Sequence, residues 1–135
     1  MAKVEKPIPE TNTWTEPFWD ATREGKLVIQ KCVDCDQKIF YPRLICPSCF
    51  SQNIEWIEAS GKGTVYTYTV VVNNAPSAFL DDMPYVVAVV RLDEGVQMLS
   101  NIVECDPASV HCDMPVKVAF KSINDEYTLP VFKPL

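Results

Sequence analysis

The stretch that decides the fold is Cys32-Val33-Asp34-Cys35, answered by Cys46-Pro47-Ser48-Cys49. A Cys-x-x-Cys turn lets two thiolates and nearby backbone amides wrap one side of a soft metal, and two such knuckles complete a tetrahedron. The ten residues between Cys35 and Cys46 make a compact hairpin whose Lys38, Ile39, Phe40 and Tyr41 suit a strand. Leu27 to Lys31 (LVIQK) reads as a strand entering the first knuckle. Asn53 to Glu58 brings the chain back as another, with Ile54 and Trp56 alternating around Glu55. Strands before, between and after the knuckles make a zinc ribbon. Four thiolates leave no open position on the metal, so the expected zinc is structural. Iron, in a rubredoxin-like carrier, is the alternative occupant. A redox Cys-x-x-Cys would need a thioredoxin-like βαβ setting, which the pattern lacks. Ribbon knuckles often carry glycine after the second cysteine. Asp36 and Phe50 stand there instead, at positions suited to positive φ, which Asp tolerates better than Phe.

Outward from the ribbon, the N-terminal side is polar. Met1 to Thr13, with Pro7 and Pro9, reads as an extended or disordered arm. A short helix follows, with Pro17 in its first turn, Glu16 and Asp20 at the favourable end, and Gly25 as a stop. Trp14, Phe18 and Trp19 make this segment aromatic. So short a helix has to dock, on its own domain or on a partner protein, and these three side chains are the candidate partner anchors.

Past Gly61 the signal is continuously β. Thr64 to Val72 is almost wholly β-branched or aromatic, and 73–84 reads as a loop. Tyr85 to Leu92 and Val96 to Val103 are strands joined by the Asp93-Glu94-Gly95 turn. Asp106-Pro107-Ala108-Ser109 looks like a cap and one helical turn, and strands follow at Val116 to Phe120 and Leu129 to Phe132. Three meander strands, a short helix and two more strands are the order of a five-stranded OB barrel, with an antiparallel sandwich as the competitor. The expected class is mainly β: arm and docking helix over 1–26, ribbon over 27–60, OB-fold over 61–135.

Of 135 residues, 47% are hydrophobic, enough for a core, and the formal net charge is −6. No run is long and apolar enough to span a membrane, and Met1 to Glu10 lacks the apolar stretch of a signal peptide, so a cytoplasmic location is expected. A reducing compartment favours metal or free thiols for the six cysteines, and Cys105 and Cys112 read as ordinary thiols. The acidic balance argues against nucleic acid, although Tyr66 and Tyr68 stand two apart on a strand where bases stack in OB folds. A local basic set, Arg23, Lys26, Lys31, Lys38 and Arg43, stands against Glu24, Asp34 and Asp36 and suits a few phosphates of a small ligand. There is one histidine, His111, no Gly-x-Ser-x-Gly elbow and no phosphate-cradling glycine loop, so independent catalysis is not expected.

The run Phe18-Trp19-Asp20-Ala21-Thr22-Arg23-Glu24-Gly25-Lys26-Leu27, the two knuckles, Gly61-Lys62-Gly63-Thr64-Val65-Tyr66, Pro84-Tyr85-Val86-Val87-Ala88, Cys105-Asp106-Pro107 and Met114-Pro115-Val116 together carry a resemblance. It covers nearly everything after residue 13. The chain resembles a family first catalogued as a domain of unknown function, which joins an N-terminal helix, a rubredoxin-like zinc ribbon and an OB-fold. The resemblance implies a small non-catalytic subunit of an acyl-CoA-processing complex. The implied partner is a thiolase-fold enzyme (a thiolase, acyltransferase or steroid side-chain retro-aldolase), with CoA or acyl-CoA as a ligand held or passed on. Some relatives pair with, or are fused to, hot-dog-fold hydratases. A chain of this length has no room for a fused hydratase, so a separate thiolase-fold partner is the expectation, with a nucleic-acid-binding OB-fold or a hydratase partner as alternatives.

Overall fold

The structure, a computed structural model, describes residues 7–135; the first six residues of the arm lie outside it. Helix α1 (Glu16–Arg23) has Pro17 in its first turn, and Gly25 ends it at φ +77°. Strands β1 (Val28–Cys32), β2 (Lys38–Ile39) and β3 (Ile54–Glu58) form a three-stranded antiparallel sheet in the order β2-β1-β3. Strands β4 (Lys62–Val71), β5 (Tyr85–Leu92), β6 (Gln97–Ile102), β7 (Pro115–Ser122) and β8 (Thr128–Pro134) close a barrel in the order β4-β5-β6-β8-β7. A 3-10 turn, Ser77–Asp82, lies within the expected 73–84 loop. A second, Pro107–Ser109, is capped by Asp106, whose carboxylate accepts from the Ala108 amide at 2.9 Å.

Strand alternation builds the core. Val86, Ala88, Val90 and Leu92 of β5 point inward at 2% exposure or less, joined by Val65, Val116 and Phe132. The same cluster takes in Phe18 of the helix and Leu27, Ile29 and Ala59 of the ribbon, so helix, ribbon and barrel share one apolar interior. Gly63 is required where β4 crosses β5, because a Cβ there would lie 2.3 Å from the Arg91 carbonyl oxygen.

The barrel is unevenly stitched. β4 and β5 pair from Gly63–Leu92 to Val71–Tyr85, whereas β6 and β8 pair in parallel only at Ile102–Phe132. Proline explains the weak seam. The Val103 amide donates to the Phe132 carbonyl, and the Ser100 hydroxyl donates to the Pro130 carbonyl at 2.9 Å. Positions 130, 132 and 134 therefore turn their backbone groups toward β6, and two of the three are prolines with no N–H to give.

Candidate metal centre and adjoining grooves

The two knuckles are built alike. The Cys32 amide donates to Gln37 O and the Cys46 amide to Ser51 O; Asp36 N–H donates to Cys32 O and Phe50 N–H to Cys46 O, all at 2.9 Å. Asp36 and Phe50 both sit at φ +63°, the left-handed conformation expected after each second cysteine. Phe50 adopts it with its ring 78% exposed, so nothing crowds the strained backbone.

The four sulfurs lie within 4.8 Å of one another, with Cys32–Cys49 at 3.5 Å and Cys35–Cys46 at 3.6 Å. A tetrahedron with metal–sulfur bonds near 2.3 Å puts sulfurs about 3.8 Å apart, so the donor set fits zinc. Ser48 N–H points at the Cys46 sulfur at 3.4 Å. Burial pushes the Cys46 thiol up, but the amides of Cys49 and Ser48, helped by the neighbouring thiols, bring it down to about 7. At Cys35 the Gln37 amide lowers the thiol, while burial and the thiols of Cys46, Cys49 and Cys32 push it up to about 12. One thiolate thus forms readily and opposes the rest, a conflict that a bound dication removes. Zinc here would hold the two knuckles together, with no coordination position left for substrate.

Asp34 is a clamp that sequence reasoning did not single out. Its carboxylate accepts from the Ser51 hydroxyl and, at 3.1 Å, from the Asn53 amide, tying the first knuckle to the chain after the second. Those bonds hold its pKa below the ordinary 3.8. Gln30 was also missed. Nearly buried at 3% exposure, its side-chain amide donates to Arg43 O at 3.0 Å and accepts from Arg43 N at 2.6 Å, fixing the loop that carries Arg43.

The five basic candidates do not form one site. Arg23 pairs with Asp20 and donates to the Glu126 carbonyl at 2.7 Å, and Lys26 stands 4.0 Å from Glu24. Lys31 pairs with Asp36 at 3.5 Å and lies opposite Lys38 in the β1–β2 register. Lys38 and Arg43 do converge, on a groove of about 590 Å³ between the ribbon and the Glu94–Gln97 end of the β5–β6 hairpin. Asp36 and Glu94 line it too, so the groove carries mixed charge. One carboxylate oxygen of Glu94 accepts from Ser60 N at 2.8 Å; the other is buried without a partner among the described residues.

The aromatic helix divides. Phe18 is no surface anchor: it is 6% exposed, its ring 5.6 Å from that of Phe40, because the helix needs an apolar seat on its own chain. Trp19 is half-buried and meets Tyr127 edge-on at 5.4 Å. Trp14 stays 39% exposed. Beside them lies a second groove of about 390 Å³, predominantly apolar, walled by Trp19, Phe40, Tyr41, Leu99 and Leu129 over the weakly paired β6–β8 seam. Phe40 borders both grooves. Elsewhere, Arg91 covers one face of the Tyr66 ring at 4.5 Å, and Cys105, Cys112 and His111 lie outside the cysteine cluster.

Two family models match in tandem: residues 19–55 fit "ChsH2, rubredoxin-like zinc ribbon domain" and 56–121 fit "ChsH2, C-terminal OB-fold domain". A DUF35 domain-containing scaffold protein of Methanothermobacter thermautotrophicus is 39% identical over 71% of this chain and 72% of its own length. A probable enoyl-CoA hydratase alpha subunit of Thermomonospora curvata is 37% identical over 98% of this chain, which spans 41% of that longer protein. A solved structure described as an Ltp2-ChsH2(DUF35) aldolase superposes with a TM-score of 0.85 at 37% identity, covering 94% of this chain and 98% of the other. With ribbon, barrel and cysteine cluster all matched, the chain belongs to the DUF35 family of zinc-ribbon and OB-fold proteins.

Proposed function

We propose that this chain is a non-catalytic accessory subunit of a cytoplasmic acyl-CoA-processing complex, seated on a thiolase-fold enzyme of the aldolase, thiolase or acyltransferase type. The observation that carries the reading is the likeness, along almost the whole chain, to the component of an aldolase described as ChsH2(DUF35). The chemistry of the chain supports it. The cysteine cluster is closed, and His111, the sole histidine, is exposed with its Nδ1 near the Ser109 carbonyl.

Acyl-CoA is the proposed ligand. Lys38 and Arg43, which line one groove, are the proposed contacts to its phosphates, and the apolar groove beside Phe40 is the proposed seat of the acyl group. Arg23, Lys26 and Lys31, which already face carboxylates, contribute less. Trp14 is the proposed aromatic contact to the enzyme.

The test is co-purification from the native source with identification of the bound proteins. A thiolase-fold subunit recovered in near-equal amount supports the reading, and a chain recovered alone sinks it. Calorimetry with CoA then separates the ligand claim from the partner claim: reversing the charge of both Lys38 and Arg43 should weaken CoA binding while leaving the complex intact. A second reading, partnership with an enoyl-CoA hydratase, is favoured by the likeness to the hydratase alpha subunit, and recovery of a hot-dog-fold protein would establish it.

A further inference from the structure

Strand β4 leaves half of one edge uncovered. Its pairing with β7 runs only from Lys62 to Thr64, extended by Val65 N–H donating to Met114 O and Val65 O accepting from Asp113. A bulge between Val65 and Thr67 then turns the strand away. From there to Val71 it pairs on one side alone, with β5. The Leu92 amide donates to Val96 O across the β5–β6 hairpin, so residues 86, 88 and 90 face β6 while Val87 and Val89 face β4. Their partners are Thr69 and Thr67. The N–H and C=O groups of Tyr68 and Val70 therefore point outward, and no described residue meets them.

Natural edges of this kind are blunted by charge, proline or a bulge. Beyond its bulge this one has none of these: no charged residue or proline occurs from Gly63 to Val72, and Tyr66 to Thr69 are four exposed residues in succession. The edge is also self-complementary. About a twofold axis through Thr69, Tyr68 falls opposite Val70 of a second copy, an aromatic facing a β-branched residue on each side of the axis, while Tyr66, beyond the bulge, turns to the face of Arg91. Tyr68 and Val70 are both outward-facing, so they form the pair that exchanges hydrogen bonds. Each copy carries a net charge of −6, yet none of that charge lies on this edge.

We propose that the free chain forms a twofold dimer by antiparallel β4–β4 pairing centred on Thr69, which joins two meanders into one continuous sheet. The dimer is independent of the accessory role. Its occupant is a second copy of this chain, because the register sets Tyr68 against Val70 on both sides of the axis and brings no two charges together.

The test uses the zinc-loaded full chain, by sedimentation and light scattering from low micromolar to millimolar concentration. A reversible dimer is expected. Val70→Pro removes an outward N–H and no β5 hydrogen bond, so the dissociation constant should rise by about tenfold or more against a Val70→Ala control, which loses the same packing on the core but keeps the N–H. If that variant does not fold, a cysteine cross-link decides. In a Cys105→Ser, Cys112→Ser background, Thr69→Cys lies on the axis at a non-hydrogen-bonded pair with Cα atoms about 4.5 Å apart, within disulfide reach. It should oxidise to a covalent dimer, while Thr67→Cys, which faces Val71 of the second copy, should not. A monomer at every concentration, or a dimer that forms no Thr69→Cys cross-link, overturns the proposal. So does a monomer whose Val70→Pro form loses a co-purified enzyme subunit, since the edge then belongs to that subunit.

Discussion

The amide of Leu99, in the middle of β6, donates to the phenolic oxygen of Tyr41 at 2.9 Å, across 58 positions of sequence. The tip of the metal ribbon thereby satisfies a barrel edge that β8, with its prolines, leaves open. Tyr41→Phe should cost about 1 kcal/mol or less, since both residues are partly exposed and water can replace the phenol. Thermal unfolding measures that, and the Leu99 amide should exchange faster. Unchanged exchange would mean that the latch is not closed in solution.

Removing the metal should undo the ribbon. Zinc sites of this kind contribute on the order of 10 kcal/mol to folding. Chelation, or Cys46→Ser, should therefore lower the unfolding temperature by at least about 10 °C. Elemental analysis should find near-equimolar zinc in the native protein. Iron, or no thermal shift on chelation, would contradict the structural-zinc reading.

Asp34 should tune how tightly that metal is held. Asp34→Ala frees the segment after the second knuckle, and zinc should pass to a competing chelator at roughly tenfold lower concentration. The pH sign follows from the lowered pKa. The stabilisation is complete above the unfolded value of 3.8 and fades as pH falls through the lower folded value, so at neutral pH the clamp is fully made. Asp34→Asn, which imitates the protonated form, should fall between wild type and Ala.

Phe18 and Trp14 should separate stability from docking. Phe18→Ala empties a buried seat and should cost about 3 kcal/mol. Trp14→Ala should leave thermal stability within about 0.5 kcal/mol yet weaken recovery of the enzyme subunit. Equal stability losses in both would remove Trp14 as a docking residue.

Gly63→Ala should be the most damaging small change. The added methyl meets backbone, not a flexible side chain, so β4 and β5 have to part. A loss of at least about 3 kcal/mol, or insoluble protein, is expected.

Much of this architecture was legible, because cysteine spacing and strand alternation are local signals. Tyr85 to Leu92 is bounded as expected, and β8 runs past Leu129 to Phe132 because Pro130 and Pro134 turn toward β6 and leave the β7 ladder intact. The knuckle conformations at Asp36 and Phe50 followed from the missing glycines. What stayed hidden depends on distant neighbours. Phe18 looked like a surface anchor because nothing in its own segment reveals Phe40 beneath it. The basic residues looked like one patch because they are close in sequence, yet Arg23 turns toward Glu126, 103 positions away. Tyr41, Gln30 and Asp34 act through partners that no spacing rule names.

The uneven stitching of the molecule also sets an order of assembly. The knuckles join residues near in sequence, and a bound metal can fix them as soon as Cys49 is available. The barrel cannot close until β8 arrives, since Phe132 fills its centre and holds the sole β6–β8 pairing. Contacts between such distant residues form slowly. A growing chain thus carries a finished ribbon beside an unclosed sheet, with the β4 edge and the β6 seam both exposed. The metal-bound half becomes the fixed body on which the rest is laid down, and Tyr41, already held at its tip, is the first group able to cover the seam.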